Sequence, residues 1–246
     1  IGSLAYGTSG VGSLQFNNPS QNNLLRNYSE VQITQEQDGA LINAPTGEIL
    51  FSSIFPSQAL EYIRYVIVSY DKTPDQGPLM QNLWYYSGEY INTSINGDDL
   101  DTEHQGIVQA LEANHEAVLR KRTEEVINQI VGDLSSQYLD YDGDGNLDNP
   151  GDGYGSLSNG ENRLGYLQET AMYVKSATES PDSTPNIRTS GENVLICLQN
   201  MEGWTNEILQ LALQLNGTPA NSDIESIVTK LSVLGNKLVH GVHTDE

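Results

Sequence analysis

Residues 47–70 read GEILFSSIFPSQALEYIRYVIVSY, and the period of the apolar positions changes at Pro56. Up to Phe55 apolar and polar residues alternate, as on a half-buried strand. From Ser57 onward Leu60, Ile63, Val66 and Ile67 recur at helical spacing. The hand-over predicts an α+β chain, with an antiparallel β-domain over 1–55 and a mainly antiparallel helical bundle over 56–246.

Before this junction SLAYG (3–7), GSLQF (12–16), SEVQITQE (29–36) and GEILFSSIF (47–55) alternate in the same way and are separated by Gly, Asn, Pro and Asp clusters. Four short strands make only part of a sandwich. The β-domain is therefore expected to be incomplete, with further strands upstream or supplied by another chain, a second copy included, through β-strand addition. The opening IGSLAYG has neither an initiating Met nor a signal-type apolar segment and reads as a processed product or fragment.

After the junction the apolar stripes predict helices over 57–70 and 79–93, then a long one that Asp98 to Thr102 can cap. That helix carries Ile107, Leu111, Val118, Val126, Ile127 and Ile130 and stops near Gly132. Further helices are predicted over 162–177 and 186–215. A last one, capped by Ser222 or Asp223, reaches about His240.

Composition narrows the function classes. With 33 acidic against 11 basic residues the formal net charge is -22, a field that repels nucleic acid and anionic lipid and favours divalent cations or basic proteins. Cys197, the single cysteine, excludes an intrachain disulfide and thiolate metal sites. No apolar window approaches the ~18 residues that a membrane span needs.

The chemistry concentrates in residues 139–155, LDYDGDGNLDNPGDGYG, which hold five aspartates and five glycines. With Asp140 as position 1, Asp142 falls at 3, Asp144 at 5, Gly145 at 6, the Asn146 carbonyl at 7, Leu147 at 8 and Asp148 at 9. This is the order of an EF-hand loop: alternating oxygen ligands, a glycine at the sharp turn and an aliphatic anchor. The departure is at position 12, where Gly151 stands in place of a bidentate Glu; Asp152 is the expected replacement. Oxygen ligands alone suit a hard cation, and Ca2+ better than Mg2+. The acidic loop 140–152 is thus expected to hold Ca2+ and to fix the chain between two helices.

Catalytic patterns are absent. His115-Glu116 begins no HExxH, because Leu119 and Arg120 follow, and no GxSxG, Walker loop or dinucleotide fingerprint occurs. The Gly-rich NPGDGYGSLSNG (149–160) follows acidic residues instead of a buried strand, so it makes a poor phosphate cradle. Glu124 and Glu125 could do acid–base work, but on so acidic a helix they are expected to lie on a solvated face. His240 and His243 share i,i+3 spacing at a helix end and read as surface histidines. The chain is expected not to be an enzyme.

The run 24–56, LLRNYSEVQITQEQDGALINAPTGEILFSSIFP, resembles the closing strands of the β-domain called the anti-sigma-K factor C-terminal domain. In a group of bacterial extracytoplasmic proteins that domain is followed by helices and a DGDG…NPGDG loop. ALEYIRYVIVSYDKTPDQGP, VINQIVG, YDGDGNLDNPGDGYG, LGYLQ, ICLQNMEGW and HGVHTDE resemble this second part. The resemblance implies a β-plus-helical, secreted or cell-surface architecture with Ca2+, and no substrate. The expectation is a non-catalytic, calcium-binding structural protein of surface assembly or protein interaction. The alternative is an accessory or sensor subunit of an envelope complex that holds a ligand or metal in the bundle.

Overall fold

The computed structural model describes residues 4–6, 8–9, 11–20, 23–37, 45, 47–86, 89–92, 105–219 and 224–242. By internal packing the chain divides into two units, Ile1–Phe55 and Pro56–Glu246.

In the first unit β1 (Ala5–Tyr6) pairs antiparallel with β2 (Gly12–Ser13), and β3 (Glu30–Gln35) pairs antiparallel with β4 (Glu48–Ile54). Glu30 stands opposite Ile54 and Gln35 opposite Glu48, with a register shift between Ile33 and Thr34. That shift is a bulge of the kind that twists a hairpin. A 3-10 turn over Leu24–Arg26 leads into β3, its first turn capped by Asn23 Oδ1, which accepts the Leu25 N–H at 3.0 Å. Two separate two-stranded sheets result among the described residues, and no sandwich is formed. The apolar side chains of β4 stay in solvent, with Phe51 66% and Ile54 70% exposed.

The second unit has eight α-helices among its described residues: α1 (Ser57–Ile67), α2 (Leu79–Tyr86), α3 (Glu89–Asn92), α4 (Ile107–Glu112), α5 (Glu116–Val131), α6 (Tyr166–Glu179), α7 (Pro185–Gly217) and α8 (Glu225–His240). Helix α7 packs against α5, α6 and α8, while α6 also receives α1 and α2. Ile127, Tyr166, Leu167, Leu198, Ile208, Leu215 and Leu231 join one buried core between them.

The long helix expected to reach Gly132 is two helices. Asn114 takes a left-handed backbone conformation (φ 56°), which asparagine tolerates better than most residues and which no α-helix can continue through. His115 then begins α5, its Nδ1 2.9 Å from Gln105 Oε1. The cap candidates Asp98–Thr102, Ser222 and Asp223, and His104 and His243, lie outside the described residues.

Helix α1 has no capping side chain of its own, because Pro56 precedes it. Asp182, from the turn between α6 and α7, takes that role: its Oδ2 accepts the Gln58 N–H at 2.8 Å and its Oδ1 the Ala59 N–H at 3.1 Å. Two of the helix's orphan donors are satisfied across more than a hundred residues of chain. Burial tends to raise the Asp182 pKa, but the Gln58 and Ala59 N–H groups outweigh it and hold the carboxyl below its ordinary range.

The sequence from Gly153 to Ser158 joins α5 to α6. The Ser156 and Leu157 N–H groups donate to the Gln129 and Ile130 carbonyls at 3.0 and 3.1 Å, while the Tyr166 and Leu167 N–H groups donate to the Gly155 and Ser156 carbonyls, both at 3.0 Å. One short strand of backbone thus satisfies the last carbonyls of α5 and the first amides of α6. Gly155 permits it: a Cβ there would fall 1.7 Å from the Ser158 carbonyl oxygen. The Gly-rich run is a helix joint, which explains its glycines without any phosphate.

Candidate metal centre

Between the end of α5 and this joint the chain makes the acidic loop. Asp140, Asp142 and Asp144 each organise the backbone after them. The Gly143 and Gly145 N–H groups donate to Asp140 Oδ1 and Oδ2 at 2.6 and 2.9 Å, the Asp144 N–H to Asp142 Oδ1 at 2.9 Å, and the Asn146 N–H to Asp144 Oδ1 at 2.7 Å. This is a run of Asx turns, the local structure that Asp-x-Asp-Gly spacing favours. Gly145 has φ +92°, a left-handed value suited to the glycine expected at the sharp turn.

The carboxylates converge as a result. Ligand oxygens of Asp142, Asp144 and Asp148 lie within 4.8 Å of one another, and so do those of Glu124, Asp140 and Asp142. Two oxygens bound to one Ca2+ at 2.3–2.6 Å can be no more than about 5 Å apart, so both triads satisfy the distance condition for a shared ion. Asp142 belongs to both. Each like-charged pair at this separation costs roughly 1 kcal/mol even in a water-like medium, and more beside protein. The nearest relief is Lys121, whose Nζ is 3.4 Å from Asp148 Oδ2.

Titration follows this geometry. Burial, with Asp144, Asp140 and Asp148 adding negative field, raises the Asp142 pKa against the Asp144 N–H. Asp144, exposed, is held below its ordinary value by the Asn146 backbone and side chain.

Of the expected ligand positions, Asp142, Asp144 and Asp148 are brought together, Asp140 joins Asp142 in the second triad, and Asn146 lies in the same turn. Asp152 is engaged elsewhere. Its Oδ1 accepts the Tyr154 N–H at 2.9 Å and its Oδ2 accepts a short hydrogen bond from the Tyr166 hydroxyl, which also accepts from Asn82 Nδ2 at 2.7 Å. Leu147 is 56% exposed and anchors nothing. The anchoring falls to Glu124, a residue that sequence reading placed on a solvated face. It is fully buried, and Glu125 beside it is buried in an ion pair with Arg122 at 2.5 Å.

Glu124 Oε2 accepts the Tyr141 and Asp142 N–H groups at 2.6 and 3.0 Å, and Oε1 accepts the Asp148 N–H at 2.7 Å. One turn further along α5, Asn128 Nδ2 donates to the Leu139 and Asp148 carbonyls at 3.1 and 3.0 Å, and its Oδ1 accepts the Leu139 N–H at 3.2 Å. Burial raises the Glu124 pKa, partly offset by the Asp148, Asp142 and Tyr141 N–H groups. The i,i+4 pair Glu124 and Asn128, polar on a helix flank next to apolar Val126, Ile127 and Ile130, is the one signal in the sequence that could have pointed to it.

Outside this centre, a surface depression of about 460 Å³ is lined by Asp133, Ser135, Asn159, Glu161 and Arg163 among others, away from the clustered carboxylates. Comparison with known proteins finds no matching family model, curated protein or solved structure, so functional reading starts from the acidic centre itself.

Proposed function

We propose that this is a non-catalytic, extracytoplasmic structural protein whose acidic loop binds Ca2+ through Asp140, Asp142, Asp144, the Asn146 carbonyl and Asp148, and that it serves in surface assembly or protein interaction. The observation that carries the reading is the convergence of Asp142, Asp144 and Asp148 within reach of one ion, with Asp140 beside Asp142 and, among the described residues, Lys121 as the counter-charge in contact with Asp148. Hard, all-oxygen ligands favour Ca2+ or a similar ion over softer metals. Bound there, the ion supplies positive charge to a cluster that otherwise repels itself, and the residues of the loop do the rest by holding their oxygens in place. Asp152 is not needed as a ligand in this form of the proposal, since Tyr166 and Tyr154 already occupy it. The partner side of the proposal is a second copy of the chain adding a strand at the exposed β3–β4 hairpin. The extracytoplasmic setting rests on the resemblance of 24–56 and of the acidic loop to the bacterial proteins described above.

Isothermal titration of the chelator-treated protein with Ca2+ and thermal melting with and without chelator test the metal. Heat of binding near one ion per chain is expected. At a free ion concentration a hundred times Kd, the melt should gain about 2.7 kcal/mol of stability. Asp142→Asn with Asp144→Asn should abolish both effects. An unchanged melt with no heat in the native chain overturns the reading.

A further inference from the structure

From the bonding around Glu124 we infer that this residue and Asn128 are positioning residues that shape the 139–148 segment before any ion arrives, and that Glu124 is not itself a metal ligand. The inference rests on the calcium reading above for its metal arm alone.

A carboxylate has about four acceptor positions. In Glu124 three are filled by the Tyr141, Asp142 and Asp148 N–H groups, and Asn128 Nδ2 approaches the fourth at 3.4 Å. An ion could bind this carboxylate only by displacing one of the three loop amides or the Asn128 side chain that ties both ends of the loop. The bonds also fall at both ends of the loop: Leu139, Tyr141 and Asp142 at its entry, Asp148 at its exit. The distance between those ends is therefore set by one turn of α5, with Glu124 and Asn128 four residues apart on the same flank. Sequence reading gave this task to the ion. The structure gives it to a helix, and leaves the ion to neutralise charge in a cage that is already formed. Glu124 stands near Asp140 and Asp142 for the same reason, since the amide it accepts from Asp142 lies beside the carboxylate of that residue. Its charge acts on the site directly from beside the aspartates and through the amides it accepts, as an outer-sphere group does.

The test has two arms, each on the full chain. In the first, with chelator present, hydrogen exchange of the backbone amides is followed by NMR. The Tyr141, Asp142 and Asp148 amides are expected to be protected in the native chain, and to lose that protection in Glu124→Gln while the amides of α7 keep theirs. Rapid exchange of the three amides in the native chain overturns the inference, whatever the metal does. In the second, terbium is bound and its luminescence lifetimes in H2O and D2O count the waters on the ion. Glu124→Gln should weaken binding roughly 10–100-fold with the water count unchanged. One or two extra waters would make Glu124 a ligand, and unaltered affinity would deny it any part; either result overturns the inference. Should Glu124→Gln fail to fold, Asn128→Ala, which leaves the carboxylate in place, must show the same loosening at Leu139 and Asp148. If the native chain binds no terbium, the calcium reading fails and the exchange arm still decides the clasp.

Discussion

Burying a carboxylate is costly unless donors surround it, and the helical unit does this with three glutamates in three ways. Glu124 is met by backbone amides, Glu125 by the Arg122 guanidinium, and Glu169 by less. Burial raises the Glu169 pKa, and the Tyr154 and Tyr70 hydroxyls and Lys72 only partly counter it, while its Oε2 is buried without a hydrogen-bond partner. A carboxyl whose folded pKa is raised costs stability when ionised. The cost is absent below the unfolded value near 4.5, grows as pH rises above it, and is complete once pH has passed the folded pKa. Glu169→Gln keeps an acceptor and removes the charge. It should raise the melting temperature at pH 7 modestly, because the half-exposed group is partly screened by solvent, and the gain should vanish toward pH 4 in melts taken across the range. Asp182 has the opposite sign: its folded pKa is depressed, so its capping of α1 is present at neutral pH and is lost as pH falls through that value. The partners of Glu124 and of the α1 amides are not legible in the sequence, because each depends on chain that returns from elsewhere: the loop for Glu124, the α6–α7 turn for α1; the Arg122–Glu125 pair is local, and only its burial depends on the rest of the fold. The aspartates at 140, 142 and 144 were legible, since Asx turns are built from near neighbours, whereas Asp148 is placed by Glu124 and Asn128 from the helix.

Helices were read well where apolar periodicity was long, as in α7 and α8, and badly where one backbone angle decided the outcome. The break between α4 and α5 turns on Asn114, an ordinary polar residue on an amphipathic pattern. The period runs through it undisturbed, while the chain turns and sets Gln105 beside His115. The joint between α5 and α6 shows the same limit from the other side. Its glycines are conspicuous in the sequence, but their reason is close approach of backbone to backbone, which composition does not encode. Gly155→Ala tests this. The added methyl meets the Ser158 carbonyl oxygen at 1.7 Å and the Gly132 nitrogen at 2.8 Å, both backbone atoms that cannot swing aside. A loss of about 1–3 kcal/mol or more is expected in chemical denaturation. Because the joint follows the acidic loop directly, the same variant should also weaken Ca2+ binding, whereas Gly203→Ala, on an open face inside α7, should leave Ca2+ binding unchanged and raise stability by roughly 0.5–1 kcal/mol.

Over the whole molecule the two units are stabilised unequally. The helical unit closes a continuous core from α1 to α8, so its stability does not wait on a partner. Among its described residues the β-unit has no comparable interior: β3 and β4 form a two-stranded hairpin with Val31, Ile49, Leu50, Phe51 and Ile54 in solvent. An isolated hairpin is marginal in water, and open strand edges beside exposed apolar side chains invite pairing with another chain. The sandwich expected from the alternation of SEVQITQE and GEILFSSIF needed strands to face this hairpin. Alternation reports that one face wants cover and is silent on what provides it. If the cover is a second copy, light scattering should show association that grows with concentration and persists in chelator, since the acidic loop belongs to the other unit. Phe51→Lys should weaken that association by about tenfold or more, given 1.5–3 kcal/mol for a buried phenylalanine, while the melting temperature of the helical unit stays where it was. A native chain that is monomeric at every concentration tested, with the β3–β4 amides fully protected, would mean that the hairpin needs no second copy, and strand addition would have to be abandoned.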